Sequence, residues 1–509
     1  MPLGRQVPAM SPDSNNNRGT PATSDADLAA TLRVVERIGP ALRSGDRDGQ
    51  NEIVRQLLQL RAPMGEQWQA LANMVLRNGE VSLAVRAMDM FVAAQGNSPL
   101  ARYVKASVLE RCGLYRESYE LVRSLPRDVP DRASYAYSRA AVALTLGELT
   151  DVREQLETCL SAQPQMGSAW LMLAQVCDLA AEPETARRIL AASATVAGAP
   201  AMHQAAYDNA RGQALAALRD YAGAFDAFRS SGQAMKTVVP YDRAADRRSM
   251  AMALEGYSAA GIAQAAAQQH EATSRAIFVT GMPRSGTTLV AQSLTRHGDV
   301  GHAAELGCLG VVMREAGGFS ADTLQAHAQG DGFGKLARLW SHLLAERFPG
   351  KARVVDKALN TSRSAGFVAS LLPDAPLVWV TRQPLDQAWS CFRNIFRDGS
   401  QSWTSDLADI GYHFRLEEEL LRRWQDILQE KLLVVPYEKL VDDFGGWIGR
   451  IAAHCNLTDD PAMLAPEKHS GAVATASAMQ VRKPVNRKGI GVAEPYREFM
   501  GEFFSAYEG

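Results

Sequence analysis

The 509-residue sequence lacks any marked excess of charge. Its 54 Lys and Arg stand against 56 Asp and Glu, a net charge of −2. No global field therefore draws the chain to nucleic acid or anionic lipid, and any anion site must be built locally. Cysteine is scarce. Cys112, Cys159, Cys177, Cys308, Cys391 and Cys455 are scattered with no CxxC pair. That argues against a zinc site or a disulfide framework and suits a reducing compartment. No apolar run approaches the ~18 residues of a membrane span. The stretch MPLGRQVPAMSPDSNNNRGTPATSD has no apolar centre like a signal peptide's, so a cytoplasmic location is expected. Residues 1–24, rich in Pro, Ser and Asn, are expected to be a disordered tail. The remainder, 46% hydrophobic and 22% charged, is ordinary for a soluble globular protein. The length allows two or three domains.

From residue 25 to 265 the chain is rich in Ala, Leu, Arg and Glu, with helical periodicity and little strand signal. Gly79, Gly113, Gly147 and Ala181 recur every 34 residues. Each follows a helical stretch led by an aromatic residue: Trp68, Tyr103, Tyr137, Trp170. Five residues beyond each turn position stand Ala84, Ser118, Val152 and Ala186, mostly small. A fifth unit, ALRDYAGAFDAF, begins at 217. Paired antiparallel helices need a residue that tolerates the turn and small side chains where they cross. Neither pair buries its apolar face without a neighbour. The pattern resembles the tetratricopeptide repeat, which implies a curved solenoid whose concave face docks a peptide, protein or substrate. An irregular helical bundle is the alternative.

From 270 to 509 the composition changes. Apolar runs AIFVTG, ARVVDK, PLVWVTR and KLLVVPYE alternate with helical stretches at 287–297, 333–347, 362–371, 384–396 and 411–430. Such alternation indicates an α/β domain, a parallel sheet with helices on both faces. Ligands then bind beyond the carboxyl ends of the strands. All four runs end there in polar residues: the 281–288 loop, Asp356–Lys357, Thr381–Arg382 and Tyr437–Glu438.

The loop TGMPRSGTTL has nearly the spacing of a nucleotide-binding P-loop, with Thr287 where lysine belongs and Arg284 added. Its glycines let backbone N–H groups turn inward, and the helix beginning near Thr287 aims its positive end at the same spot. Arg284, Ser285, Gly286, Thr287 and Thr288 suit a single terminal phosphate. A triphosphate would lack its usual lysine.

At these residues a specific resemblance emerges. GMPRSGTTL resembles the 5'-phosphosulfate loop of sulfotransferases that use 3'-phosphoadenosine-5'-phosphosulfate (PAPS). VVDKALN, VTRQPLDQAWSCF, VPYEKLVDDF and TASAMQVRKPVN follow in the family's order. The chain is most similar to bacterial tetratricopeptide-repeat sulfotransferases and, in the same motifs, to tyrosylprotein sulfotransferases. The resemblance implies an in-line transfer of a sulfuryl group from PAPS to an acceptor hydroxyl. The product would be 3'-phosphoadenosine 5'-phosphate (PAP), and no metal is required. It places Arg382 and Ser390 on the 3'-phosphate, Tyr437 and Lys488 on the nucleotide, and Glu305 as catalytic base. Lys357 falls at the bridging oxygen, assisted by Ser477. His302 is a rival base, and Arg393 a weaker phosphate ligand. Lys483 and Arg487 compete with Lys488 as the closing cation.

Bland readings stand beside these. Arg382 has Asp386 within reach as an ion partner, and Lys357 has Asp356. A P-loop kinase or NTPase with Asp356 as metal ligand, or a catalytically inactive repeat scaffold, are the competing functions. The acceptor is open: peptide or protein, glycan, lipid or small molecule. No nucleic acid and no membrane span are expected.

Overall fold

The computed structural model describes residues 25–126, 128–328, 330–350, 352–396, 401–469, 471–474 and 479–509. The expected tail, residues 1–24, lies outside these. The amino-terminal region is an all-α helical-repeat solenoid and the carboxyl-terminal region an α/β domain.

Five helix pairs make up the array: Gln67–Arg77 with Val81–Ala94, Pro99–Arg111 with Tyr115–Arg123, Arg132–Leu146 with Leu149–Ala162, Gly167–Val176 with Pro183–Ala191, and Ala201–Ala217 with Tyr221–Val238. Gly79, Gly113 and Gly147 close the first three turns in the left-handed region, at φ of 85°, 78° and 82°. A residue with a Cβ resists that conformation. The turn containing Ala181 uses no left-handed residue. Its first helix stops at Val176 and a longer link follows. Ala84, Ser118, Val152 and Ala186 are all wholly buried where the paired helices cross. Even Val152 fits there, so the position requires burial more than smallness.

Five parallel strands form the sheet: β1 (Ala276–Thr280), β2 (Val300–Ala304), β3 (Arg353–Asp356), β4 (Leu377–Thr381) and β5 (Leu432–Pro436), in the order β2-β3-β1-β4-β5. Side chains alternate between two cores, as strand pleating demands. Ala276, Phe278, Val354, Leu377 and Trp379 face one layer of helices. Ile277, Val279, Val355, Val378 and Val380 face the other. β1 is followed by β2 on one side and β4 by β5 on the other. The crevice beyond β1 and β4 is therefore the switch point where such sheets hold ligands.

The two regions interlock. Helices Arg243–Leu254 and Ala259–Ala267 supply Met250, Ala253 and Ile262 to a core that covers the sheet. Phe225 and Phe228 of the fifth repeat pack with Trp389, Tyr496 and Phe503. At the other end, Glu80 is buried between Arg47 at 2.5 Å and His342 at 3.1 Å. Glu346 accepts from the Ser82 amide at 2.8 Å. The repeat turns thus lie directly against the α/β domain.

Candidate functional site

The loop between β1 and the helix Thr287–Leu294 is shaped by three left-handed residues: Gly281 at φ 144°, Arg284 at 65° and Gly286 at 111°. A Cβ on Gly281 would run into the Val380 carbonyl of β4. One on Gly286 would stand 2.6 Å from the Tyr437 ring. The loop is therefore pressed between β4 and the helix Tyr437–Asp442 that follows β5. Ser285, Thr287 and Thr288 are buried. The Ser285 Oγ has no hydrogen-bond partner among the described residues, an unmet demand that a bound oxyanion would satisfy.

Beyond the loop lies a cavity of about 290 Å³ lined by Arg284, Arg382, Arg393, Ser390 and Tyr437, and closed by residues 479–489. Arg382 Nη1 donates to the Arg284 carbonyl at 2.8 Å, and its Nη2 donates to the Gly489 carbonyl. Its Nε is buried without a partner, and its guanidinium lies 5.2 Å from the Tyr437 ring centre. Arg284 Nε donates to Ser390 Oγ at 3.2 Å and Nη2 to Gln480 Oε1 at 2.7 Å. Burial, with the Arg393 charge next, pushes the Arg284 pKa down to about 10. Arg393 is shifted down as well, by burial first. Asp386 does not pair with Arg382. Its carboxylate accepts from the Gly491 and Ala493 amides at 2.7 and 3.0 Å, anchoring the closing segment. Among the described residues no carboxylate pairs with Arg382 or Arg393. Arg382 and Arg393, close enough to affect each other and without a carboxylate partner among the described residues, call for an anion.

Of the basic cluster in the closing segment, Lys483 and Lys488 line this cavity. Arg487 points away to Asp442 at 2.7 Å. Arg393 and Gln480 are the residues that sequence reasoning underweighted or missed. Arg393 sits one position from Asn394, whose amide is spent on the Ser390 carbonyl at 2.6 Å. Gln480 lies within the segment TASAMQVRKPVN but has no role expected of it there.

Glu305 and Lys357 come together just beyond the carboxyl ends of β2 and β3. Lys357 Nζ donates to Glu305 Oε1 at 2.5 Å. Lys357 is buried, while the Glu305 side chain is 47% exposed and faces a large cleft. β2 accounts for this placement: it was not expected from sequence, and Glu305 follows its last residue at the same sheet edge as the other site residues. The expected alternative partner for Lys357, Asp356, is fully enclosed. Its Oδ1 accepts from the Leu306 and Ala358 amides at 3.3 and 3.0 Å. Burial, only partly offset by those amides, pushes its pKa up to about 7. His302 is exposed on β2, stacked on Phe348 with ring centres 4.6 Å apart. Burial lowers its pKa, with Arg275 adding to the effect. Ser477 lies outside the described residues.

Comparison with known proteins now bears on this geometry. Residues 276–461 match the model of the sulfotransferase family. The matched region contains the loop, Glu305, Lys357, Arg382, Ser390 and Tyr437, and the carboxyl-terminal domain has a sulfotransferase-type fold. A protein of Aquifex aeolicus (strain VF5), described only as uncharacterized, is 22% identical over 408 residues. That match takes in 78% of this chain and 53% of the relative, so the chain spans about half the length of the curated relative it matches. The sulfotransferase domain of the Synechococcus PCC 7002 olefin synthase is 18% identical, with 45% of this chain and 90% of that one covered, at a TM-score of 0.33. Pseudomonas aeruginosa pilF is 19% identical, with 43% and 96% covered, at a TM-score of 0.29. Superpositions this partial leave the fold to be read from the chain itself. Among the described residues, no helix is long and apolar enough to cross a membrane.

Proposed function

We propose that the protein transfers a sulfuryl group from PAPS to an acceptor hydroxyl. One observation carries the reading: Arg284, Arg382 and Arg393 line a single cavity at the β1/β4 switch point, and neither Arg382 nor Arg393 has a carboxylate partner among the described residues. A nucleotide with phosphate-type groups at both its 3' and 5' positions supplies the missing charge. The loop amides, Ser285, Thr287 and Thr288 hold the 5' group. Arg382, Arg393 and Ser390 hold the 3'-phosphate, with Tyr437 and Lys488 against the nucleoside; Arg284, expected from the sequence at the 5' group, bonds Ser390 and so is reassigned to the 3' side.

The donor supplies the sulfuryl group: its S–O bond to the nucleotide breaks, PAP departs with that electron pair, and a new S–O bond forms at the acceptor. Glu305 takes the acceptor's proton as that bond develops. Lys357, 2.5 Å from Glu305, orients the carboxylate and offers its remaining N–H donors where negative charge accumulates on the leaving oxygen. His302, stacked away on Phe348, is not assigned the base. A kinase-like reading is disfavoured by Asp356. An enclosed carboxyl bound by two amides, with its pKa near 7, is a poor ligand for Mg²⁺.

The test is transfer of label from PAPS by the purified full chain to components of an extract of its source. Label appears with the unaltered protein and is lost with Glu305→Gln, which still binds PAP. A protein that binds no PAP overturns the nucleotide assignment. Unaltered labelling by Glu305→Gln overturns the base.

A further inference from the structure

The cleft that Glu305 and Lys357 face is about 1430 Å³. Only one of its walls belongs to the sulfotransferase-type domain. The other is made by the helical region, through the turn around Gly79 and Glu110, Arg111 and Tyr115 of the first two repeat units, with Arg47 and Gln50 ahead of them. Between the walls stands Arg347, the last residue of the helix Gly332–Arg347. Its guanidinium is pressed so closely on the second repeat turn that a Cβ on Gly113 would collide with it. Its Nε is buried with no hydrogen-bond partner, and among the described residues no carboxylate lies within ion-pairing distance. The side chain as a whole is half-buried, but an enclosed guanidinium N–H without an acceptor is costly, and an anion in the cleft would supply one. Arg77 and Glu315, which also line the cleft, are exposed to solvent, and several of its other charges are already engaged. Arg314 donates to the Arg77 carbonyl at 2.8 Å, Arg111 to Asn73 at 2.6 Å, and Lys357 to Glu305. Glu110 accepts from Ser118 at 3.2 Å. Arg347 is thus a cation lying against the repeat array and opening on the catalytic carboxylate's cleft, with no carboxylate at ion-pairing distance among the described residues.

We infer that Arg347 is the anion-binding group of the acceptor site, so that the acceptor carries a negatively charged group, carboxylate or sulfate, near the hydroxyl that is modified. This rests on the sulfotransferase reading and deepens it. The Gly113 turn lies against the guanidinium, and the repeat array thereby contributes to specificity at the reacting centre. Tyr115 on the same wall senses this environment. Burial raises its phenol pKa, with Arg347 opposing and Glu305 adding to the rise.

The test uses the full-length protein saturated with PAP, so that the nucleotide's own phosphate sites are filled. Binding is measured by saturation-transfer NMR for three matched phenols: 4-hydroxyphenylacetate, 4-hydroxyphenyl sulfate and the neutral 4-hydroxyphenylacetamide. One or both anions bind about tenfold or more tightly than the amide, the strength of a charge-assisted contact. Which anion is preferred separates carboxylate from sulfate recognition. Arg347→Met abolishes the preference, and Arg347→Lys restores part of it. PAP affinity is unchanged in both, which also reports that each variant is folded. Equal binding of all three phenols, binding of none, or a preference that survives Arg347→Met overturns the inference. Failure of the unaltered protein to bind PAP overturns the nucleotide reading instead.

Discussion

Replacing Arg382 with alanine tests the nucleotide cavity at its centre. Two of its nitrogens already serve the fold, bonding the Arg284 and Gly489 carbonyls. Its buried Nε is the group left to serve a ligand. One charge-assisted bond to phosphate contributes about 1.5–3 kcal/mol, or roughly 10- to 150-fold in affinity. Arg284 and Arg393 remain in the variant, so the loss stays within that range. Isothermal titration with PAP and with adenosine 5'-phosphate separates the ligand contact from loosening of the closing segment. The loosening weakens both nucleotides alike, whereas the lost phosphate contact weakens PAP alone. The expected result is a selective loss for PAP of at least about tenfold. Equal losses for the two nucleotides refute the placement of the 3'-phosphate at Arg382.

Other substitutions probe separate parts of the account. Glu305→Gln lowers transfer by at least ~100-fold, the low end of general-base contributions, with PAP affinity within about twofold by titration; His302→Ala leaves turnover unchanged. Gly286→Ala forces a Cβ to within 2.6 Å of the Tyr437 ring at a φ of 111°, so PAP binding is lost and stability falls by roughly 2 kcal/mol in urea unfolding. Gly449→Ala, in the helix Phe444–His454 with open space around it, does neither. Asp356 is raised in the fold to about 7 from an ordinary 3.8. The stability contributed by its protonated form is present below about pH 4 and is lost as pH rises through 7. Asp356→Asn has no such dependence, so its stability relative to the unaltered protein improves between pH 4 and 8, by up to roughly 4 kcal/mol. A constant difference in urea midpoints at the two pH values contradicts this.

Most of the fold was legible because its signals are local. The 34-residue recurrence of Gly79, Gly113 and Gly147 reflects a backbone turn that favours glycine. Of the four apolar runs that read as strands, β1, β3 and β4 are buried nearly throughout, and β5 is partly buried. β2 escaped notice because it carries no apolar run, unlike the other edge strand β5: Gly301 and His302 are exposed, and only Val300 is buried. The candidate site was legible where backbone chemistry demands particular residues, as in the loop at 281–288. It was not legible where residues meet by tertiary packing. Gln480 reaches Arg284 from a segment without regular structure, 196 positions away. Arg347 ends its helix like any cation that complements a helix dipole, and its proximity to Gly113 exists only in the folded chain.

The most direct measurement is equilibrium binding of PAP to the full-length protein, with and without EDTA, beside ATP with Mg²⁺. PAP binds with an affinity indifferent to the chelator, and ATP–Mg²⁺ binds far more weakly or not at all. Tight binding of ATP–Mg²⁺ with none of PAP would contradict the account.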